Sequence, residues 1–449
     1  MPRKPANPPP TERPKEAKRS AREGLGSRAA GEPITVKLHT VTPVLGGGTR
    51  TRHVDAIDFV RAPSIRGHLR FWWRALHAAQ YKDSAELFKR EMDLWGGVAG
   101  TTVKRSAVEV AVQVADSPRL ANSDIDQQAK DAYALWPARA EKKKDVPPAE
   151  RWENLAWTLT VRVPEAEHQQ VRRAVNAWIL FGGYGGRTRR GCGTMTIDGD
   201  RKAWLPEKPS LAEIRALLGE DIFGPPTRAA NDLPLLQGAI LKAGDPTGSA
   251  AQAWYAALGW LRDFRQRPAD DKEDNDLPRD PKRDKRPGQS RWPEADKLRH
   301  LHGSWSHAPR HGDRAAWPRA AFGLPLVTRF KNQGDPPGQW EVVWRRGEEV
   351  HDRLGSPLIL KPLALRDGRF VPIALWLHRA YPAGGEVVAR RQGGAPINNS
   401  AAAFDVLLGD GDEPLYKPLV PTKAPPGEQV KTAFFEWLGR HHPGVKRVT

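Results

Sequence analysis

Four segments in the first half of the chain alternate between apolar and polar residues, which is the two-residue period of a half-buried β-strand. The first begins at Ile34, the second is a series of valines from Val108 to Val114, and the third extends from Leu155 to Val163. A shorter segment, GTMTID, ends at Asp198. The pattern predicts four strands.

Longer segments between these strands place apolar residues three and four positions apart, which is the spacing of one helical face. SIRGHLRFWWRALHA follows Pro63, DSAELFKREMDLW stops at Gly96, and a further helix is predicted from Glu165 to Phe181. The order β-α-β-β-α-β is that of a ferredoxin-like (RRM-like) domain, in which two helices cover one face of an antiparallel sheet. We therefore predict the α+β class.

The second half repeats this theme less clearly. A strand LPLLQGAIL precedes a helix that opens at Ser249, and helices are also predicted near 401–408 and 428–441. The predicted later strands are FGLPLVTRF, QWEVVWRR, SPLILKPLAL and RFVPIALWLH. We predict tandem ferredoxin-like domains over 34–225 and 226–449, the second embellished. Two segments are rich in proline and charge. We therefore predict a disordered basic tail over 1–33 and a charged insertion near 266–289.

The composition excludes several classes of protein. A length of 449 residues allows two or three domains. The single cysteine, Cys192, excludes a disulfide framework and leaves no cysteine cluster for zinc or iron–sulfur. No window has the roughly 18 uninterrupted apolar residues that span a bilayer, and the amino terminus lacks an apolar signal core. We expect a cytoplasmic protein with no membrane partner, no cofactor and no metal.

The net charge indicates the class of partner. The chain has 71 Lys and Arg against 53 Asp and Glu, which gives +18. Arginines outnumber lysines about two to one, and the planar guanidinium binds phosphate with two parallel hydrogen bonds and stacks on bases. A polyanion such as RNA is the expected partner. A genome rich in G and C also enriches arginine without any function. The placement of the charges along the chain therefore decides between this explanation and RNA binding.

The run FGGYGGRTRRGCGTM extends from Phe181 to Met195. Its residues 182–193, which we call the Gly-Arg loop, combine flexible glycines with three arginines. Glycines bring bare amide groups close to a ligand, and arginines supply charge. The run follows a helix and precedes a strand, which is the reverse of a dinucleotide-binding motif. The alternative is a solvated hairpin. Its candidate RNA contacts are Gly182, Gly183, Tyr184, Gly185, Gly186, Arg187, Thr188, Arg189 and Arg190.

Arg66, Arg70 and Arg74 are spaced by four residues and so form one stripe on a helix. Like charges aligned in this way repel one another, and a bound anion would offset that repulsion. We therefore predict that this stripe grips RNA phosphates. The alternative is that carboxylates elsewhere in the fold pair with these arginines.

The preceding loop holds glycines and cations that also suit phosphate. The candidate contacts there are Gly46, Gly47, Arg50 and Arg52. Asp55 and Asp58 in the same loop are a possible catalytic pair, but such carboxylates commonly cap helices or pair with arginines.

In the second half, Arg353, Ser356 and Lys361 are further candidate RNA contacts near a shared cleft. Four histidines in RHLHGSWSHAPRH suggest a metal site, but their spacing fits no zinc pattern, and a surface for phosphates or a partner chain is the preferred interpretation. Cys192 lies among arginines that would lower the pKa of a thiol, yet a small side chain that fills a glycine loop explains it better.

Several of these segments together resemble the RAMP superfamily of CRISPR effector subunits. The resemblance rests on TPVLGGG, APSIRGHLRFWWRALHA and FGGYGGRTRRGCGTM. In the second half, SRWPEADKLR, AFGLPL and RLGSPLILKPLAL match patterns of the first RAMP subunit of type III-B (Cmr) complexes, which has two fused ferredoxin-like domains. The resemblance covers nearly all of the chain except the tail and the insertion.

This resemblance implies a non-catalytic capping subunit of an antiviral ribonucleoprotein. Such a subunit lies at the end of the complex that carries the 3′ part of the guide RNA. Its implied partners are the guide RNA, the target RNA and other RAMP subunits, one of which cleaves the target. The alternative is a metal-independent RAMP endoribonuclease that processes the guide, with His39, His53 or His77 as its general base.

Overall fold

The structure is a computed structural model that describes residues 31–115, 118–126, 129–141, 145–226, 233–266, 292–309, 311–404, 406–407, 424 and 427–448. The predicted tail, up to residue 30, and the predicted insertion, from residue 267, lie outside these ranges. Helices and strands are mixed along the chain, and the strands form several separate sheets. The predicted α+β class is therefore confirmed.

Residues 34–198, which we call module one, build a four-stranded antiparallel sheet in the order β5-β8-β1-β9. In chain order the elements up to residue 218 are β1 (Ile34–Thr40), β2 (Val44–Leu45), α1 (Ala62–His77), α2 (Ser84–Trp95), β3 (Gly97–Ala99), β4 (Thr102–Lys104), β5 (Glu109–Val114), β6 (Arg119–Ala121), α3 (Ala132–Leu135), β7 (Arg151–Glu153), β8 (Ala156–Arg162), α4 (His168–Phe181), β9 (Met195–Asp198) and α5 (Leu211–Leu218).

The strands of this sheet alternate between buried and less buried side chains, as the sequence predicts. Along β1 and β8, apolar side chains are buried while their neighbours face outward or lie half-buried. The buried faces of α1 and α4 pack together, with the indoles of Trp73 and Trp178 fully buried. β6, the short helix α3 and β7 lie between β5 and β8 in the chain, and β6 and β7 form a small additional sheet with β2.

Residues 235–447, which we call module two, contain a second antiparallel sheet in the order β14-β15-β10-β17 and a separate sheet in which β12 pairs with β11, β13 and β16. Its elements are β10 (Leu235–Ala243), α6 (Ala250–Gln266), α7 (Glu294–His302), β11 (Leu326–Arg329), β12 (Gln339–Arg346), β13 (Glu349–His351), β14 (Leu358–Ala364), β15 (Phe370–His378), β16 (Gly385–Arg391), α8 (Gln429–His441) and β17 (Lys446–Arg447).

The helix predicted near 401–408 is wrong for the described residues. Ala402 is instead extended, because its backbone N–H and C=O groups both pair with Val387 of β16. The predicted helix at 428–441 is confirmed as α8.

The two modules share one continuous hydrophobic core. Apolar residues from β1, α1 and α4 cluster with residues from β10, β14 and β15. Within the described ranges, no helix has the length and apolar character needed to cross a membrane. The shared core fixes the relative placement of the two modules and therefore the shape of the cleft between them.

Candidate nucleic-acid interface

A cleft of about 1280 Å³ lies between the two modules. Its arginines come from the Gly-Arg loop, from α6 and from two loops of module two, and none of the described residues that line it is acidic. The seven lining arginines are Arg187, Arg189, Arg190, Arg262, Arg265, Arg319 and Arg353. A concave surface with this composition favours a polyanionic ligand.

The Gly-Arg loop reaches the cleft because its backbone turns sharply. Arg187 has a φ of 57°, in the left-handed region. At Gly193, with a φ of 63°, an added Cβ would overlap the carbonyl oxygen of Tyr184, so only glycine fits. From module two, the indole N–H of Trp254 donates to the Arg190 carbonyl at 2.7 Å. The loop is thus held by both modules.

Arg189 and Arg190 lie half-buried at the base of the cleft. The Arg189 guanidinium donates to the carbonyl of Ser356, and Arg190 donates to the carbonyl of Leu358 at 2.9 Å. Burial lowers the pKa of both guanidinium groups to about 10. Both therefore remain cations at neutral pH, and each keeps N–H donors beyond those that bind the carbonyls.

Only two of the seven arginines have an acidic partner within 4.0 Å among the described residues. Arg262 pairs with Asp263 at 2.9 Å, and Arg319 lies 3.0 Å from the buried carboxylate of Glu294. The remaining five are Arg187, Arg189, Arg190, Arg265 and Arg353. Five guanidinium groups without a carboxylate partner repel one another, and a bound polyanion relieves that repulsion.

Aromatic side chains also line the cleft. Trp136 is 42% exposed, with the guanidinium of Arg139 stacked 4.2 Å from its ring centre. The hydroxyl of Tyr133 accepts a hydrogen bond from Arg265 at 2.9 Å. Burial raises the pKa of Tyr133, but the nearby charges of Arg265, Arg190 and Arg187 outweigh burial and leave the pKa lowered. Aromatic faces beside cations are typical of sites for single-stranded nucleic acid.

The predicted arginine stripe on α1 does not line this cleft. Glu91 of α2, which is buried, accepts hydrogen bonds from Arg70 at 2.6 Å and from Arg74 at 2.6 and 2.7 Å. Arg66 donates to the carbonyl of Trp95. Internal partners hold all three side chains, as the carboxylate alternative anticipates for two of them, and RNA contact by this stripe stays a prediction.

Several predicted contacts are buried and have a structural role instead. Lys361 is fully buried, and its ammonium donates to the carbonyls of Gly182 at 2.6 Å and Ile179 at 3.3 Å. Gly183 is also buried, and its carbonyl accepts from the indole of Trp178. Contact of Lys361, Gly182 and Gly183 with RNA stays a prediction, and their burial favours a structural role.

The remaining predicted residues divide between the cleft and other surfaces. Arg353 and Ser356 line the cleft, as predicted for a shared cleft. Arg52 donates to the carbonyls of Pro137, Arg139 and Pro147, so that its guanidinium holds the loop before β7. The other predicted contacts outside the cleft lining are exposed or half-buried, except for the buried Tyr184. They are Gly46, Gly47, Arg50, Tyr184, Gly185, Gly186 and Thr188.

The groups considered for catalysis lie apart from the cleft lining. His39 is 2.9 Å from Asp198, and His53 is 3.0 Å from Glu150. Burial lowers the pKa of His77 to about 4. Asp55 pairs with Arg61 and accepts the backbone N–H groups of Ile57 and Asp58.

Two further hypotheses meet structural obstacles. Burial raises the pKa of the Cys192 thiol to about 12, so it is not a thiolate at neutral pH. Among the described residues, no group of three or more His, Cys, Asp or Glu is placed to hold a metal ion, which includes the described histidines between 300 and 311.

Sequence reasoning missed Arg262, Arg265, Arg319 and the aromatic wall. Arg262 and Arg265 are three apart on the helix that the sequence does predict, and this spacing was the available signal. Arg319 and Trp136 lie in short 3₁₀ turns without a period to identify them.

Comparison with known proteins gives a family match for module one. The RAMP superfamily model matches residues 37–196. A curated relative, the CRISPR system Cmr subunit Cmr1-1 of Pyrococcus furiosus, is 29% identical over 145 residues, which is 31% of this chain and 40% of that protein. The chain therefore spans about two fifths of the length of the curated relative that it matches.

Solved structures also resemble the chain. The crystal structure of Cmr1 from Pyrococcus furiosus in its apo form has 16% sequence identity and a TM-score of 0.46, over 78% of this chain and 89% of that chain. A chain of the type III-B Cmr-beta complex bound to cognate target RNA, determined by cryo-electron microscopy, has 11% identity and a TM-score of 0.43, over 77% and 94% respectively.

Proposed function

We propose that the chain is an RNA-binding subunit of a type III-B CRISPR effector complex, because residues 37–196 match the RAMP superfamily model. The observation that carries this proposal is the cleft between the modules, where five arginines have no acidic partner among the described residues. Phosphates of a ribonucleotide chain supply the missing negative charge. Guide RNA and target RNA are the proposed ligands, and other RAMP subunits are the proposed neighbours.

The proposal includes the finer fold. In the four-stranded sheet of each module, numbering its strands one to four in chain order gives the spatial order two-three-one-four. In both modules a helix follows strand one and another helix follows strand three. That is the order of a ferredoxin-like domain, and we interpret the chain as two such domains in tandem. The separate sheet around β12 (Gln339–Arg346) is the embellishment of the second domain.

We also propose that the subunit is not catalytic and that it holds the 3′ part of the guide with its target. The three histidines considered as a general base support this, since none of them lines the cleft. Phosphate contacts position RNA without reading its sequence. Recognition of the target is therefore left to base pairing with the guide.

The test replaces Arg187, Arg265 and Arg353 together with alanine in the full chain. Binding of fluorescently labelled 12-nucleotide RNAs of unrelated sequence is measured by anisotropy at several salt concentrations. At roughly 0.7 counterions per phosphate contact on a single strand, the slope of log affinity against log salt is expected to fall by about 2. The loss of affinity is expected to be similar for every sequence.

A matched control replaces three exposed arginines that do not line the cleft: Arg105, Arg346 and Arg440. It removes the same total charge. Equal losses in the two triple variants would contradict a localised site and would indicate a general charge effect. The same RNAs are also incubated with the wild-type chain, and cleavage that a substitution at His39, His53 or His77 abolishes would overturn the non-catalytic role.

A further inference from the structure

A second, smaller pocket of about 360 Å³ lies within module one, against the same Gly-Arg loop. Tyr184 and Gly185 line this pocket, whereas Arg187, two residues further along, lines the cleft. One short loop therefore borders both spaces. The volume is at the small end of the range for ligand-binding pockets, about 300–1000 Å³.

Aromatic rings form a large part of the wall of this pocket, since Phe59, His68, Trp152 and Tyr184 all line it. Phe59 packs edge-on against Trp152 with ring centres 5.1 Å apart, and the ring of His68 lies 6.2 Å from Tyr184. His68 also stacks on Trp178, which lies behind it. Burial lowers the pKa of His68, so its imidazole is neutral at neutral pH. Such walls suit a flat aromatic ligand.

The charges differ from those of the cleft. Arg61 lines the pocket, but its guanidinium is paired with Asp55. The carboxylate of Asp58 also lines the pocket and accepts no hydrogen bond among the described residues. The pocket thus has no excess of positive charge for a phosphate, while a free carboxylate accepts hydrogen bonds from the amino group of a base.

Gly67 leaves one wall of the pocket open. It lies inside α1, where glycine is less favourable than alanine. Its φ is not in the left-handed region, and an added Cβ would meet no atom within 4 Å, so neither backbone strain nor packing explains it. Gly67 lines the pocket. The pocket therefore has open space on this side, which a longer side chain at position 67 would fill.

We propose that this pocket holds one unpaired nucleobase of the RNA strand whose phosphates lie in the arginine cleft. The inference rests on the proposed function, since the cleft must bind the same strand. The charged backbone and the uncharged base then occupy two spaces that suit them, on either side of the Gly-Arg loop.

The test compares Gly67→Met, which fills the pocket, with Gly67→Ala, whose methyl group meets no atom within 4 Å. The probe is a 12-nucleotide single-stranded RNA with one 2-aminopurine at successive positions. Gly67→Met is expected to weaken binding on the order of ten-fold, since stacking of one base has about this effect. It is also expected to abolish the fluorescence change at one probe position. Gly67→Ala is expected to bind like the wild type.

An RNA of the same length that lacks the base at the responding position is the second probe. It is expected to bind the wild type and Gly67→Met equally, with an unchanged salt slope in both, since its phosphates are intact. Equal binding of the complete RNA by the wild type and Gly67→Met would overturn the pocket while the arginine triple variant still upheld the cleft. A wild type that binds no RNA would overturn both.

Discussion

Replacing the buried Lys361 with methionine tests how the two modules are joined. Lys361 lies on β14 of module two, and its ammonium binds the carbonyls of Gly182 and Ile179 at the end of α4 in module one. Lys361 lines neither the cleft nor the small pocket. Methionine keeps the approximate shape and leaves both carbonyls without this donor. A buried acceptor that loses its partner costs about 1–3 kcal/mol.

The loss is expected to depend on pH. Burial lowers the pKa of Lys361 to about 7, from 10.5 in an exposed lysine. Between these two pH values the unfolded chain holds the proton and the folded chain does not, so raising the pH favours the folded state. This stabilisation is present above pH 10.5 and is lost as the pH falls through 7. From pH 6 to pH 9 it contributes about 3 kcal/mol.

The assay is urea unfolding, followed by tryptophan fluorescence at pH 6, 7, 8 and 9, for the wild type and Lys361→Met. The difference in free energy of unfolding is expected to grow by about 3 kcal/mol across this range in favour of the wild type. Lys446→Met, which removes an exposed ammonium, is the control and is expected to show a constant difference. A constant difference for Lys361→Met as well would refute the reasoning.

Two further predictions concern buried groups. Glu91→Gln leaves Arg70 and Arg74 without their carboxylate, and we expect a loss of roughly 3 kcal/mol in the free energy of unfolding, measured by urea titration; an unchanged midpoint would contradict the pairing. Cys192 is buried and its pKa is raised to about 12, so an aromatic disulfide reagent at pH 8 is expected to react only over the urea range in which the fold is lost. Rapid reaction without urea would show that the packing of Trp254 and Leu258 around Cys192 opens in the folded protein.

The four strands of the main sheet and the helices α1, α2 and α4 of module one follow from the sequence because local pattern decides them, whereas the short strands and α3 were not predicted. Strict alternation marks β1 and β8, and apolar residues at helical spacing mark α1 and α4. The segment at 401–408 has no such guide. Its alanines suit a helix by intrinsic preference, yet the backbone of Ala402 satisfies its hydrogen bonds on Val387, which is close only in the folded chain.

The candidate site was only partly predictable for a related reason. Helical spacing shows that Arg66, Arg70 and Arg74 share a face, but it does not show that Glu91 from α2 lies opposite them. The cleft needs residues from distant parts of the chain, such as Arg187 and Arg353, and only the Gly-Arg loop concentrates enough of the signal to be recognised in the sequence. Long-range packing, which the pattern does not encode, supplies the remainder.

The Gly-Arg loop is the point at which packing and proposed function meet. Module two holds the loop at both ends, through Lys361 on the Gly182 carbonyl and Trp254 on the Arg190 carbonyl. Between these two anchors, Tyr184 faces the small pocket and Arg187 faces the cleft. Neither Lys361 nor Trp254 lines the cleft or the small pocket, so in the proposed RNA complex their role would be to fix where the loop lies. The contacts from module two therefore fix the separation between the proposed base site and the proposed phosphate site, so both modules contribute to the proposed grip on one RNA strand.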